Sequence, residues 1–283
     1  MNHARGAALL LVLWLVALLT ALVGAYALTA RMEALQGRVG SRGALAQEIA
    51  RAGMEYALVR VADRNPDTHW QPNGRAYAWR FDGQEVQVRI VDETGKVDIN
   101  QADIALLSRL MQALGQPPEV SDALAGAIVD WRDADNLSQP VGGAEDGDYA
   151  AAGRDYGAKD APFETIAEIE QVLGMTPDLY ARMAPFLTLY SGRGQPDATY
   201  AQGPVLEAMG MDATAWLAQR NAVGAAGNPQ LVGTGSGTYS IESRARLADG
   251  REATLRTVVR ASANAIPGSA YTLLRWEEGA SPQ

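Results

Sequence analysis

The 283-residue chain contains no cysteine. Disulfides, thiolate metal sites and a cysteine nucleophile are thereby excluded, and the usual sequence mark of an extracytoplasmic compartment is missing. Histidine is nearly as scarce. Of the two, His3 lies at the extreme N-terminus and His69 stands beside Trp70 in a turn-forming stretch, so a serine triad has no convincing base. Gly233-Thr-Gly235-Ser-Gly237 lacks the Gly-x-Gly-x-x-Gly spacing of a nucleotide loop and precedes a strand pattern, so it reads as a connector. Positive charge is short as well. From Asp98 to Asp197 there are 6 Lys+Arg against 17 Asp+Glu, or −11 by 6 minus 17, within a chain of net charge −9. Such a balance argues against nucleic acid or anionic lipid as the main partner of the soluble part.

What is present begins with an apolar run. Short, polar and positive Met1-Asn-His-Ala-Arg-Gly6 is followed by Ala7 to Ala30 without one charge. As a helix that run is roughly 36 Å long, enough for a bilayer core of about 30 Å. Three readings compete. A secretory signal has a shorter apolar region, with Ala25-Tyr-Ala27 as a cleavage site. A plain signal anchor fits the length, although Arg5 and Arg31 give no strong orientation. In the third, Gly6 sits at the boundary between basic leader and apolar run, which resembles the leader of type IV pilins and pseudopilins, cut just after the glycine.

Beyond Arg31 the helix pattern continues and becomes amphipathic. Leu45, Ile49, Ala52, Tyr56 and Val59 recur at spacings of four and three and predict the buried face. Gly37, Gly40 and Gly43 predict local bending. Arg75–Phe81 and Glu85–Val91 alternate around Asp82-Gly83, a hairpin signal. Helical patterns follow, with Leu106, Leu107, Leu110 and Leu114 on one face, then Leu124, Ile128, Val129 and Trp131, then Thr165–Leu173 and Pro177–Phe186. Strand patterns return at Tyr239–Leu247 and Glu252–Ala261, with a third at Tyr271–Trp276.

Several short stretches, in this order, resemble the K-type minor pseudopilins of type II secretion systems. They are the leader, Ala52-Gly-Met-Glu-Tyr56, Val97-Asp-Ile-Asn100, Asp130-Trp-Arg-Asp-Ala-Asp135, Ala144-Glu-Asp146 with Tyr149, and Ala161-Pro-Phe-Glu-Thr165. The resemblance covers residues 1 to about 190. It implies an α+β, pilin-like fold: a long N-terminal helix on a small antiparallel sheet, with a large all-helical insertion domain. The expected divisions are a leader at 1–6, an assembly helix at 7–30, an amphipathic helix and first hairpin at 31–97, the insertion at 98–235 and C-terminal strands at 236–283. It further implies cleavage by a prepilin peptidase between Gly6 and Ala7, with methylation of the new amine. The chain would be a single-pass inner-membrane protein of a Gram-negative bacterium with its soluble part in the periplasm. I-type and J-type minor pseudopilins would be its partners at the tip of a short pseudopilus, which the bulky insertion would cap.

Pilins carry a glutamate at the fifth mature position, which pairs with the amine of the subunit ahead; here that position is Leu11. An unpaired carboxylate in hydrocarbon is costly, so leucine suits a subunit with nothing ahead of it. Small residues Ala17, Ala21, Gly24 and Ala25 form the expected contact row of this helix. The second constellation is acidic: Asp133, Asp135, Asn136, Glu145, Asp146 and Asp148, with Asp155 and Asp160 near enough to contribute. Hard cations take six to eight oxygens, but the EF-hand pattern is not met. Single-sequence reasoning prefers a solvated acidic loop. The resemblance reverses that preference and implies structural Ca²⁺.

Two other classes of protein share parts of this pattern. Val97–Ala102 before a leucine helix also resembles a helix-hairpin-helix nucleic-acid module. Its turns at Gly115-Gln-Pro-Pro118 and Gly174-Met-Thr-Pro177 carry prolines where phosphate needs N–H donors, in a region of strong negative charge. An acidic-residue hydrolase would need two carboxyls about 5–9 Å apart in a deep pocket. The reading favoured by the sequence is a non-enzymatic assembly protein.

Overall fold

A computed structural model describes residues 4–225, 235–261 and 271–280. Met1 to His3, together with Gly233 and Thr234 of the expected connector, lie outside the described residues. The first element, α1 (Ala4–Ala62), is a continuous helix of 59 residues. Its Leu9–Glu33 stretch has a mean hydropathy of 2.5 and none of it is buried.

Five antiparallel strands pack on the second half of α1. They are β1 (Asn73–Phe81), β2 (Gln84–Asp92), β5 (Thr238–Arg246), β6 (Glu252–Ala261) and β7 (Tyr271–Ala280), side by side in that order. The β1–β2 turn is the one the sequence announces: Asp82 and Gly83 both take positive φ (47° and 75°), as a two-residue hairpin turn requires. Val86, Val88 and Ile90 alternate inward, meeting Ile241, Leu255 and Val259 over α1.

The buried face of α1 differs from the expected one. Ala46, Ile49, Ala50, Met54 and Ala57 are buried, whereas Leu45 and Val59 are 43% and 63% exposed. Small side chains share this face with Ile49 and Met54. At Gly53 an added Cβ would lie 2.4 Å from Ser243 Oγ and 2.7 Å from Val86 Cγ1. The helix and sheet thus approach more closely than leucine or valine would permit.

Between β2 and β5 the chain builds a helical body. Two short strands, β3 (Val97–Asp98) and β4 (Leu187–Thr188), pair in parallel and join its beginning to its later part. Asp98 strengthens that closure by accepting from Ser191 Oγ (3.1 Å) and Gly192 N–H (2.8 Å). Between them come α2 (Ile104–Ala113), α3 (Pro118–Arg132), α4 (Asp146–Ala151) and α5 (Pro177–Met183); α6 (Gly203–Ala208) and α7 (Ala213–Ala225) follow β4. The apolar groups expected on α2 and α3 meet one another: Leu106, Leu107, Leu110, Leu124 and Ile128 are all buried in one cluster.

Three expectations need correction. The helix expected at Thr165–Leu173 is a 3₁₀ turn at Ile166–Gln171. Its buried Ile166 and Ile169 stand three apart, which a three-residue period aligns on one face. The next helix ends at Met183 and continues as a 3₁₀ turn, Ala184–Phe186. The last strand extends beyond Trp276 to Ala280 because β6 offers partners along that length.

Candidate functional site

The acidic site is built on the end of α3. Asp130 lies in its last turn on the face that also buries Ala127 and Trp131, and it is fully buried. Its carboxylate accepts from the backbone N–H groups of Ala144 (2.8 Å) and Gln139 (3.3 Å), which holds the loop after α3 against the helix. Asp133 ends the helix, its N–H donating to Val129 O at 3.0 Å. Glu145 arrives from the start of α4 and is 7% exposed. One carboxylate oxygen from each of Asp130, Asp133 and Glu145 lies within 4.8 Å of the others.

Burial first, and the neighbouring acids second, raise all three above the ordinary carboxylate range, although backbone donors on Asp130 oppose the rise. Glu145, with Asp130, Asp133 and Asp160 around it, is pushed up to about 7. Among the described residues, both oxygens of Glu145, Oδ1 of Asp133 and Oδ1 of Asp160 are buried without a hydrogen-bond partner. Asp160 also takes a positive φ of 54°. Buried carboxylates without counter-charge are expensive. Arg132, next to Asp133, is turned to the carbonyls of Ile99 and Ala102 instead, and Lys159, next to Asp160, pairs with Glu168 at 2.8 Å. An all-oxygen set of this kind fits a hard divalent cation of the Ca²⁺ class. Trp131, which follows Asp130, packs against Tyr149 and Phe163, with ring centroids 5.8 and 6.3 Å apart. Burial also holds the Tyr149 phenol up at about 12.

Of the residues singled out in the sequence, Asp133 and Glu145 come together. Asp135, Asn136, Asp146 and Asp148 do not join them and are exposed. Local bonds explain two of these: Asp135 accepts from Leu137 N–H (3.0 Å), and Asp148 from Glu145 N–H (3.0 Å). Asp130 was missed as a site residue. Its signal was legible, since a carboxylate three residues after Ala127 and four after Gly126 stands on one face of the helix with them.

The helix expected to assemble in lipid carries Leu11, Ala17, Ala21, Gly24 and Ala25 without cover; Leu11 is 72% exposed and nothing lies within 4 Å of Gly24. Gly6 and Ala7 fall near the start of the same helix. Two basic groups of the helical body that a nucleic-acid reading would need are tied to backbone carbonyls, while Arg154 and Arg193 are exposed. Arg109 donates to Ala208 O (2.6 Å) and Arg182 to Leu114 O (2.8 Å).

A long, partly bare helix on an antiparallel sheet, interrupted by a helical body between its second and third strands, defines a pilin-like protein with an insertion. Residues 88–192 match the family model for type II secretion system protein K. Over that segment the chain is similar to this family. Type II secretion system protein K of Klebsiella pneumoniae is 30% identical over 212 residues, 66% of this chain and 63% of that one. Its counterpart in Pseudomonas aeruginosa is 30% identical over 137 residues, 45% and 41% respectively. The matched part thus spans less than two thirds of either relative. The fold is similar to a chain in the crystal structure of the GspK-GspI-GspJ complex from enterotoxigenic Escherichia coli, with a TM-score of 0.60 and 16% identity, covering 87% of this chain and all of that one.

Proposed function

We propose that this protein is a minor pseudopilin that is processed at Gly6–Ala7 and assembles through α1 with I-type and J-type minor pseudopilins at the tip of a type II secretion pseudopilus. The carrying observation is the division of α1: its Leu9–Glu33 stretch is apolar with none of it buried, while its second half packs on the sheet. A helix so exposed is stable only in lipid or against other apolar helices. The same segment would anchor the chain in the inner membrane, with the sheet and insertion in the periplasm. Leu11 leaves the upper end of the helix without a carboxylate to pair, and the insertion supplies bulk above the sheet. Both suit a subunit on which no other subunit stacks. The complex named for the solved relative supports the choice of partners. Asp130, Asp133, Glu145 and Asp160 would hold a structural Ca²⁺, which supplies the positive charge that their buried oxygens lack.

Intact-mass and peptide mass spectrometry of protein purified from membranes tests the reading. A mature chain beginning at a methylated Ala7 is expected. An intact Met1, or a cut near Ala27, would leave an ordinary anchored or secreted protein.

A further inference from the structure

The loop between α3 and α4 is built with its backbone inward and its apolar side chains outward. Gly142 takes a φ of +70°, and a Cβ there would come within 2.0 Å of Ala123 Cα. A Cβ on Gly126 would meet Val141 O at 2.5 Å, and one on Gly143 would meet Gln139 N at 2.4 Å. Asp130 clamps the same loop through Gln139 and Ala144. Pressed this closely on the helix, the loop nonetheless leaves Leu137 75% and Val141 61% exposed. Val120, one turn before Ala123 on the same face of α3, is 47% exposed.

Single exposed apolar residues are ordinary, but a group of three on a clamped loop marks a contact surface. Its surroundings specify what fits. Glu119, beside Val120, and Asp135, two residues before Leu137, are exposed, as are Asp146 and Asp148 at the start of α4. Between Gly115 and Gly153 the sequence has one basic residue, Arg132, and its guanidinium is occupied by the carbonyls of Ile99 and Ala102. We propose that Leu137, Val141 and Val120 form an apolar knob with an acidic rim, which docks into an apolar socket rimmed by Lys or Arg on a different protein. A second copy would bring the same acidic rim, and an anionic lipid surface would be repelled too. This surface lies on the insertion, away from α1, so it adds a contact beyond the helix-mediated assembly proposed above.

The test uses the full chain in cells carrying its complete secretion system, with a photo-reactive benzoylphenylalanine at Leu137 or, as control, at exposed Ala105 of α2, and mapping of the cross-linked peptides. The expected adduct from position 137 alone lies on a different polypeptide, at an apolar residue flanked by Lys or Arg. In isolated membranes its yield should fall several-fold when salt rises from about 0.1 to about 1 M, as the Debye length shrinks from about 10 to about 3 Å. Val120→Asp with Val141→Asp should abolish it, while Glu119→Lys with Asp135→Lys should weaken it; unchanged melting temperatures would show that these variants fold. No adduct, or adducts confined to this chain, a second copy, lipid or an acidic peptide, would overturn the proposal. So would equal adducts from position 105.

Discussion

Glu145 is the acid of the site with the least compensation for its burial. Its two oxygens are buried without donors, and three other carboxylates surround it. In the metal-free protein its folded pKa of about 7 lies above the ordinary 4.5, so folding favours the protonated form. The associated stability is present below the ordinary carboxylate range and is lost as pH rises through about 7. In EGTA the melting temperature should therefore fall between about pH 5 and pH 8, and Glu145→Gln should flatten that fall. With Ca²⁺ the order reverses, because the cation requires the ionised carboxylates: wild type should melt higher at pH 8 than in EGTA, and Glu145→Gln should gain far less. Thermal unfolding with and without Ca²⁺ at the two pH values checks both. A wild type indifferent to both pH and cation would mean that these acids are solvated.

At the scale of elements, α1 shows how a periodicity can be right and its face wrong. The 3.5-residue repeat of Leu45, Ile49, Tyr56 and Val59 correctly indicated a helix with one buried side. Hydrophobic strength then picked the wrong edge of it. The sheet rests on Ala46, Ile49, Ala50, Gly53, Met54 and Ala57, because helix and sheet come so close at Gly53 that no larger side chain fits there. Two alanine substitutions separate the effects. Gly40→Ala meets nothing within 4 Å and should raise stability by up to about 1 kcal/mol through helix propensity. Gly53→Ala gains the same propensity but must displace Ser243 and Val86, and overpacking costs about 1–3 kcal/mol, so it should lower stability. Denaturant titration of both variants decides the matter, and equal stabilisation would refute close packing at Gly53.

For the whole molecule, what matters is how the helical body is held to the sheet. Glu93 follows β2 and is almost wholly buried; its carboxylate takes hydrogen bonds from Thr188 of β4 and Ser240 of β5 and pairs with Lys96 Nζ at 2.8 Å. Lys96 Nζ also reaches Ser240 Oγ at 2.6 Å. Beside it, Asp92 accepts from Thr94 N–H (2.9 Å) and Ser236 N–H (2.6 Å). One ion pair thus spans the sheet and both ends of the β3–β4 bridge. Lys96→Met should cost about 3–5 kcal/mol, since it strands a buried charge; Glu93→Gln in addition should recover much of the loss. A double-mutant cycle by chemical denaturation measures this, and independent, additive losses would contradict the joint.

Local chemistry, written in consecutive residues, determined a good part of this protein. The membrane-length run, the Asp82-Gly83 turn, the alternation of β2 and the paired apolar stripes of α2 and α3 each depend on spacing within one segment, which a single chain displays directly. So does the negative charge of the insertion. Tertiary structure alone decided which acids share a site, because Asp130 and Glu145 lie fifteen positions apart and meet only when the loop folds back on α3. It also decided that Asp135, Asn136, Asp146 and Asp148 stay outside that site, that small residues of α1 lie against the sheet, and that β3 pairs with β4 although Val97 and Leu187 are 90 positions apart. Those outcomes turn on desolvation and close approach between distant segments, and neither is fixed until the chain has packed.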